Sequence, residues 1–563
     1  MRCGALSPKL VGLTIAQGPS ARTISTDPDW WRQAAAYQIY PRSFTDANGN
    51  GLGDIAGITS RVPYLASLHI DAVWLSPFYP SPLADGGYDV ADYRDVDDRL
   101  GTLADFDALV DALHASGIRI ITDIVPNHSS HLHPWFQEAL AAAPGSAARE
   151  RYIFRDGAGP DGALPPSGWG SNFGGPAWTR VPDGQWCLHL FAKEQPDFNW
   201  DNPQIQEDFL TTLRFWSDRG VDGFRVDVAN SLIKDLSEPF RPSIDKVLGG
   251  DLPIDGSDPL YDRDDVHAVF ERWREVLNEY DPPRSAVAEA WVPRERRLLY
   301  ARPTELGQAF NFDLLLVGWH PHEFHDVITS NLNDAAATGA SSTWVLSNHD
   351  VVRHATRYGL PSGADHNAWL LGADAAFLED RDVGLRRSRA ATLLMLALPG
   401  SAYLYQGEEL GLSEASELDD HVLQDPTWER TGHQEKGRDG CRVPLPWERG
   451  GESFGFGPGG SHLPQPDWFG DLSVEAQDGA YGSTLELYRA ALRARAQLQG
   501  NKGLDWQVRE TEGVLHFIRS GGWHCVTNFS QEAVDLPAGV VVVCSGPLQK
   551  GLLPTTTTAW MLQ

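Results

Sequence analysis

The stretch Gly223-Phe-Arg-Val-Asp-Val-Ala-Asn230 decides how the rest of this chain is read. It follows Phe209–Arg219, where Phe209, Leu210, Leu213, Phe215 and Trp216 recur at helical spacing until Gly220 breaks the run. A buried strand fed by a helix is the grammar of a parallel sheet. Residues two apart on a strand face the same side, so Arg225 and Asp227 stand together at the strand's C-terminal end. A fixed cation there lowers the carboxyl pKa and keeps it ionised, the state that a carboxylate nucleophile requires. A structural Arg–Asp pair at a strand end satisfies the same pattern, so the surroundings must decide.

Outward from that stretch, short apolar runs alternate with amphipathic helices. Strands are expected at Ala36–Phe44, Ile70–Pro77, Ile118–Asn127, Gly223–Asn230, Ser285–Trp291, Ala309–Leu315, Thr343–Asp350 and Ser401–Gln406. Eight strands, each preceded by a helix, predict an α/β fold, a closed (β/α)8 TIM barrel. Ser129–Trp200 is too long for a simple connection and rich in Gly, Pro and Trp, which predicts an inserted subdomain after the third strand. A second Gly/Pro-rich excursion, Ser413–Pro466, follows the eighth strand. Beyond a helix at Thr484–Leu498, short β-type runs with turns between them predict a small all-β C-terminal domain. The expected divisions are a disordered leader at 1–29, the barrel at 30–128 and 201–498, the insertion (subdomain B) at 129–200 and the β domain at 499–563.

The predicted strands end in polar residues: Asp123, Asn127 and His128 on the third, Arg225 and Asp227 on the fourth, Glu289 on the fifth, His349 and Asp350 on the seventh. In a parallel barrel these ends open onto one face, where barrel enzymes do their chemistry. Three carboxylates in one partly dry pocket raise each other's pKa. Arg225 is expected to keep Asp227 ionised, while Glu289, between Ala288 and Ala290 with Trp291 near, is expected to keep its proton. One ionised and one protonated carboxyl is the requirement for glycoside hydrolysis with retention.

Composition narrows the partners. A formal charge of −30 over 563 residues argues against nucleic acid and anionic membrane, both of which demand basic patches. Twenty Trp residues beside 76 acids suit a small neutral sugar, which offers hydroxyls to charged groups and C–H faces to rings. Cys3, Cys187, Cys441, Cys525 and Cys544 are odd in number and scattered, so neither a disulfide framework nor a zinc site is indicated. No run approaches the ~18 apolar residues of a membrane helix, and Leu10–Ala16 is about half a signal-peptide core. A cytoplasmic location is the expectation; monomer and dimer stand equal.

With those motifs laid out, the chain resembles the α-amylase family of glycoside hydrolases, from about Trp30 to the C-terminus. The matching stretches are DIVPNH (123–128), GFRVDVAN (223–230), AEAW (288–291) and LSNHD (346–350), with YQGEELG (405–411) after the last strand. QPDFNW (195–200) looks like the signature of the oligo-1,6-glucosidase and α-glucosidase branch, with Phe198 where Leu is usual. The text around LSNHD looks like actinobacterial maltase-type α-glucosidases. The resemblance implies Asp227 as nucleophile, Glu289 as general acid/base and Asp350 as the residue that grips sugar hydroxyls. It also implies that Asp85 and Tyr88 of DGGYD (85–89) hold the non-reducing-end sugar, with Asp85 paired to Arg442, Gly86 in place of a common Asn, and His128 and His349 bonded to the same sugar. An Asp–Arg pair at that end would make the enzyme exo-acting.

Asp46-Ala-Asn-Gly-Asn-Gly-Leu-Gly-Asp54 sets oxygen donors at alternate positions: Asp46, Asn48, Asn50, the Leu52 carbonyl and Asp54. The pattern suits a hard cation, and a plain Gly-Asn turn fits it too. The resemblance favours a structural Ca2+ or Mg2+, remote from the chemistry; no cofactor is expected for catalysis. The expected activity is release of glucose from maltose and short α-1,4 glucosides, with α-1,6 close behind because Val228 follows the nucleophile. Two alternatives stay open. One is a glucosyl-transferring isomerase or transglucosidase of the trehalose synthase or sucrose isomerase type. The other is a non-catalytic relative such as a transporter heavy chain, which predicts missing acids and a membrane helix.

Overall fold

The computed structural model describes residues 22–244, 252–372, 378–500, 503–508 and 510–563. Eight parallel strands run β1 Ala35–Ile39, β2 Ala72–Leu75, β3 Arg119–Ile124, β4 Gly223–Val226, β5 Ser285–Ala288, β6 Gly307–Ala309, β7 Thr343–Val345 and β8 Ser401–Tyr405. They pair in the order β7-β8-β1-β2-β3-β4-β5-β6, and a parallel bridge between Asn311 and Trp344 joins the two ends into a ring. Every residue of these strands is buried, inside and out. That is why they read as continuous apolar runs rather than as alternating ones.

The outer layer follows from helix chemistry. Leu103–Ala115 opens with a reciprocal Thr102–Asp105 capping box and turns Phe106, Leu109, Val110 and Leu113 inward. Pro203–Asp218, capped by Asn202, buries Ile205, Phe209, Leu213 and Trp216 before Gly220 turns the chain into β4. The stretch between β3 and β4 carries a helix, Pro134–Ala141, and a three-stranded antiparallel sheet built from residues 154–155, 178–180 and 186–188. Its base is pinned to the barrel by the His128–Asp197 bridge. A five-stranded antiparallel sheet ends the chain, in the order 504–506, 514–519, 523–528, 557–562, 540–544. It packs on the helix Arg381–Leu396, where Trp560 Nε1 and Thr558 Oγ1 donate to the Leu393 and Ala390 carbonyls. Among the described residues, no helix is long and apolar enough to cross a membrane.

The sixth strand is displaced from its predicted place. The expected Ala309–Leu315 is strand only to Ala309, and Phe312–Leu316 is a helix whose first amides are capped by the Asn311 side chain. Periodicity cannot separate a short buried strand from one helical turn of the same apolar residues. The other strands keep their places but are shorter than predicted. After β1, for example, Pro41–Ser43 forms a single 3-10 turn because Pro fixes the backbone there. Residues 22–29, expected within a disordered leader, instead lie against the barrel: Arg22 pairs with Asp71 at 2.5 Å and donates to the Ile70 carbonyl. Residues 1–21 fall outside the described residues.

The register of β4 against β5 sets the site, and Gly223 sets that register. Gly223 faces Ser285, and a Cβ on it would lie 2.1 Å from Ser285 Oγ and 3.0 Å from the Ser285 carbonyl oxygen. The hydroxyl can rotate away; the carbonyl cannot. Gly223→Ala is therefore expected to cost about 1–3 kcal/mol in denaturant unfolding. An unchanged midpoint would show that the two strands can part freely.

Candidate active site

Side chains two apart along a barrel strand share its interior. Ala36, Ala72, Trp74, Ile121, Val287, Phe310, Val345 and Tyr403 fill the barrel with apolar packing, and the next inward positions toward the C-terminal mouth are polar. Asp123 faces Arg225 across β3 and β4, and Arg225 faces Val287 across β4 and β5. Asp227 and Glu289 stand just past the strand ends, held by backbone bonds from their amides to the Ile124 and Val226 carbonyls, each 2.9 Å. Pairing thus fixes the heights of all four groups before any side chain chooses a partner.

Arg225, 2% exposed, is the hub. One terminal nitrogen donates to Asp123 at 2.7 Å and to Asp227 at 2.6 Å, and the other reaches Glu289 at 2.7 Å. Trp74 and Tyr88 donate to the second oxygen of Asp123, each at 3.1 Å. Glu289 also accepts from the Trp291 indole at 3.2 Å and from the Val228 amide at 3.1 Å. To aim that amide, Val228 takes a left-handed backbone, φ 43°, a strained choice for a β-branched residue.

The protonation pattern differs from the sequence expectation. Burial drives the Asp227 carboxyl well above its ordinary value; Arg225 opposes that, while the Glu289 and Asp123 charges and a hydrogen bond with Glu289 add to it. Asp123 is likewise pushed up to about 7, by burial first, against Arg225. The expectation gave Asp227 a cation of its own; the structure makes Arg225 a cation divided among three acids. Asp227 and Glu289 meet the same guanidinium, 2.6 Å and 2.7 Å from its two terminal nitrogens.

The opposite wall behaves differently. Burial works against charge on Asp350, but His349 and the guanidiniums of Arg438 and Arg442 outweigh it and hold the carboxyl well below the usual range. Arg438 reaches Asp350 at 3.0 Å and Arg442 reaches it at 2.9 Å. The predicted Asp85–Arg442 pair is not formed. Arg438 takes that place, 2.7 Å from Asp85, and also bonds Asp425, while Arg442 turns to Asp350 and the His349 carbonyl. Both arginines sit in the excursion after β8, four residues apart, and the sequence offers no signal as to which one reaches Asp85. Gln195 also holds Asp85, at 3.1 Å, and touches His128 at 3.0 Å. Gly86 lies where a Cβ would come within 2.6 Å of the Tyr40 hydroxyl, so a larger residue there would have to move that ring.

Tyr88 stacks on His349 with centroids 5.3 Å apart and planes 9° apart, its hydroxyl 2.5 Å from the imidazole. Burial keeps His128 and His349 below the ordinary histidine value, so both are neutral near pH 7. Together Asp85, Tyr88, His128, Asp227, Glu289, Asp350 and Arg438 line a cavity of about 390 Å³, walled by Phe173, Phe191 and Trp291. A pocket of that size, with acids at its floor and aromatic walls, is the equipment of a glycosidase.

Comparison with known proteins agrees. The α-amylase catalytic domain matches residues 38–500. A probable α-glucosidase of Rhizobium meliloti (strain 1021) is 37% identical over 533 residues, covering 91% of this chain and 92% of the relative. An oligo-1,6-glucosidase of Parageobacillus thermoglucosidasius is 32% identical over 500 residues, covering 83% and 84%. Among solved structures, the α-glucosyl transfer enzyme XgtA superposes with a TM-score of 0.79 at 34% identity, covering 95% of this chain and 99% of that one. The trehalulose synthase MutB gives 0.78 at 27%, covering 94% and 99%. The chain belongs to the α-amylase family of glycoside hydrolases.

The loop at 46–54 is held by its own backbone. Asp46 accepts the Gly49 and Gly51 amides, Asn48 the Asn50 amide and Asn50 the Leu52 amide. Asp54 accepts the Ala47 and Asn48 amides while capping the helix Ile55–Ser60 through Gly57. Gly49 and Gly51, with φ of 80° and 84°, let the loop curl. Asp54 Oδ2 is filled by its two amides, whereas the Asp46, Asn48 and Asn50 side-chain oxygens and Asp54 Oδ1 each accept one amide and keep a lone pair that a hard cation could use.

Arg438 is the residue on which the far wall turns. Arg438→Ala should raise KM for a glycoside by about tenfold or more, the worth of one buried charge-assisted hydrogen bond. Arg442→Ala should leave the Asp85 contact intact. Equal KM in wild type and Arg438→Ala would remove Arg438 from the sugar site.

Proposed function

We propose that the chain is a retaining, exo-acting α-glucosidase that releases glucose from the non-reducing end of maltose and short α-1,4 glucosides, with α-1,6 glucosides as secondary substrates. The observation that carries the proposal is the pair Asp227 and Glu289 at the cavity floor, held 2.6 Å and 2.7 Å from the two terminal nitrogens of one guanidinium, that of Arg225. Carboxyls gathered on one guanidinium suit the close spacing of retention, about 5–5.5 Å, better than the about 6.5–9.5 Å that an inverting enzyme needs for its water.

Asp227 forms a bond to the anomeric carbon while the bond to the glycosidic oxygen breaks, and Glu289 gives that oxygen its proton. Glu289 then takes a proton from water, which attacks the anomeric carbon and frees Asp227. Arg225 steadies Asp227 as an anion, and Glu289 is held in place by Arg225, the Val228 amide and the Trp291 indole. Asp350, charged and braced by two arginines, is suited to grip hydroxyls of the same sugar, with Asp85, Tyr88, His128 and His349 around it. The Asp85–Arg438 pair stands where the resemblance expects an Asp–Arg pair at the end of the cleft, which supports exo action.

Hydrolysis of p-nitrophenyl α-glucoside tests the assignment. Asp227→Asn and Glu289→Gln should each lose at least about a thousandfold in kcat, and wild-type turnover in both would refute it. Product analysis on maltose, isomaltose, sucrose and trehalose decides the reaction type. Free glucose supports the hydrolase; trehalose, isomaltulose or trehalulose as main product would make the protein a glucosyl-transferring isomerase.

For the loop at 46–54 we propose a structural Ca2+ held by Asp46, Asn48, Asn50, the Leu52 carbonyl and Asp54. Excess Ca2+ should raise the melting temperature of chelator-treated protein by several degrees, since ligand at about 100 times Kd adds about 2.7 kcal/mol. An unchanged melting curve would leave the loop a self-bonded turn.

A further inference from the structure

Behind the Asp350 wall lies a buried acid that the reaction above does not use. Glu414, 1% exposed, lies at the start of the excursion after β8 and borders the catalytic cavity. Its Oε2 accepts the Arg353 amide at 2.9 Å, and its own amide donates to Thr356 Oγ1 at 2.8 Å. Both partners belong to the segment that leads out of Asp350. On its other side Glu414 meets the turn that carries the two arginines. A Cβ on Gly440 would lie 2.5 Å from Glu414 Oε1, and the neighbouring Ala415 amide donates to the Gly440 carbonyl. The Arg353 guanidinium closes the loop, donating to the Cys441 and Gln406 carbonyls at 2.8 and 2.9 Å.

We infer that Glu414 is a positioning residue: its carboxylate spaces the segment bearing Asp350 from the turn bearing Arg438 and Arg442, and so sets how well the terminal sugar is gripped. Glu414 bonds the Arg353 amide on one side, and on the other the room between its Oε1 and Gly440 is too small for a Cβ, so a shift of either segment is felt by the other.

The charged groups facing this carboxyl define how it responds to pH. Arg353 and Arg357 favour its anion, Glu379 from the adjoining segment opposes it, and Cys441 and Glu408 lie close enough to feel the same field. Burial, the largest influence, lifts Glu414 to about 7. The carboxylate is therefore present above that pH and lost as pH falls through it. A protonated carboxyl would keep an acceptor oxygen for the Arg353 amide but lose the charge that faces Arg353 and Arg357.

The test is steady-state kinetics on p-nitrophenyl α-glucoside for wild type, Glu414→Ala and Glu414→Gln from pH 5.5 to pH 8.5, with melting temperatures measured in parallel. Glu414→Ala should lose tenfold or more in kcat/KM at pH 8, most of it in KM. Glu414→Gln keeps an acceptor oxygen for the Arg353 amide but cannot ionise. It should equal wild type near pH 5.5, where the native carboxyl is protonated, and fall several-fold behind it above pH 7.5. Taking the ratio to wild type cancels the titration of Asp123 and Asp227. A Glu414→Gln ratio that is flat with pH, an unchanged KM in Glu414→Ala, or losses that follow melting temperature alone would overturn the inference. It rests on the α-glucosidase assignment for its substrate: inactivity of wild type on α-glucosides refutes that assignment, whereas an active wild type with indifferent variants refutes the role of Glu414.

Discussion

One guanidinium makes the rest of the site possible. Asp123, Asp227 and Glu289 converge where water is nearly absent, and three adjacent buried carboxylates would expel one another's charge. Arg225 bonds all three. A lysine could not do this, because its compact ammonium lacks the planar fork that engages separate acids from different nitrogens. The sharing has a consequence for chemistry. A single positive charge cannot fully ionise three acids, so at least one proton stays in the cluster, and a cluster that retains a proton beside an anion can donate and attack in one turnover.

The barrel's contribution is height control. In a parallel sheet the inward residues of neighbouring strands form layers, and here the apolar layers end one position below the charged one. Asp227 and Glu289 lie just beyond the last paired residues of β4 and β5, where the backbone is still fixed by a neighbour's carbonyl but the side chain is free to meet a ligand. Rigid scaffold and reactive group are one residue apart. The strain at Val228 belongs to the same economy: an unfavourable backbone angle turns an amide toward Glu289 instead of leaving it to the helix-like turn that follows.

Most of this was legible in the sequence because barrel strands advertise themselves twice, as apolar runs and as runs that end in acids. The eight strands, the two long excursions and the β-rich end could be placed from pattern, and Asp227, Glu289 and Asp350 were singled out before any coordinates. What failed did so for physical reasons. The sixth strand was overextended because Phe312–Leu316 is as apolar as a strand, and only the Asn311 cap marks it as helix. The protonation assignment failed because it counted one acid per cation, and Asp123, although named as a strand end, was not recognised as a third claimant on Arg225. Arg438 was missed because pairing across 353 residues of chain is a property of the fold, and two arginines four residues apart are interchangeable to a reader of sequence.

The two walls of the cavity obey opposite electrostatics, and that contrast explains why the loops matter as much as the barrel. On the floor, acids outnumber cations and carboxyl groups are driven toward their neutral forms. On the far wall, Arg438 and Arg442 outnumber the single Asp350 they share, although Arg438 must also serve Asp85 and Asp425. Asp123 and Asp227 are thus pushed toward their neutral forms, while Asp350 is kept charged. The floor is encoded in strand register and is nearly incapable of drifting. The wall is assembled from loops after β7 and β8, whose spacing depends on contacts such as the one between Glu414 and Gly440. Changes of sugar preference within such a framework are therefore easier to reach through the wall, where a loop can shift without unpairing a strand, than through the floor, where any shift costs the barrel itself.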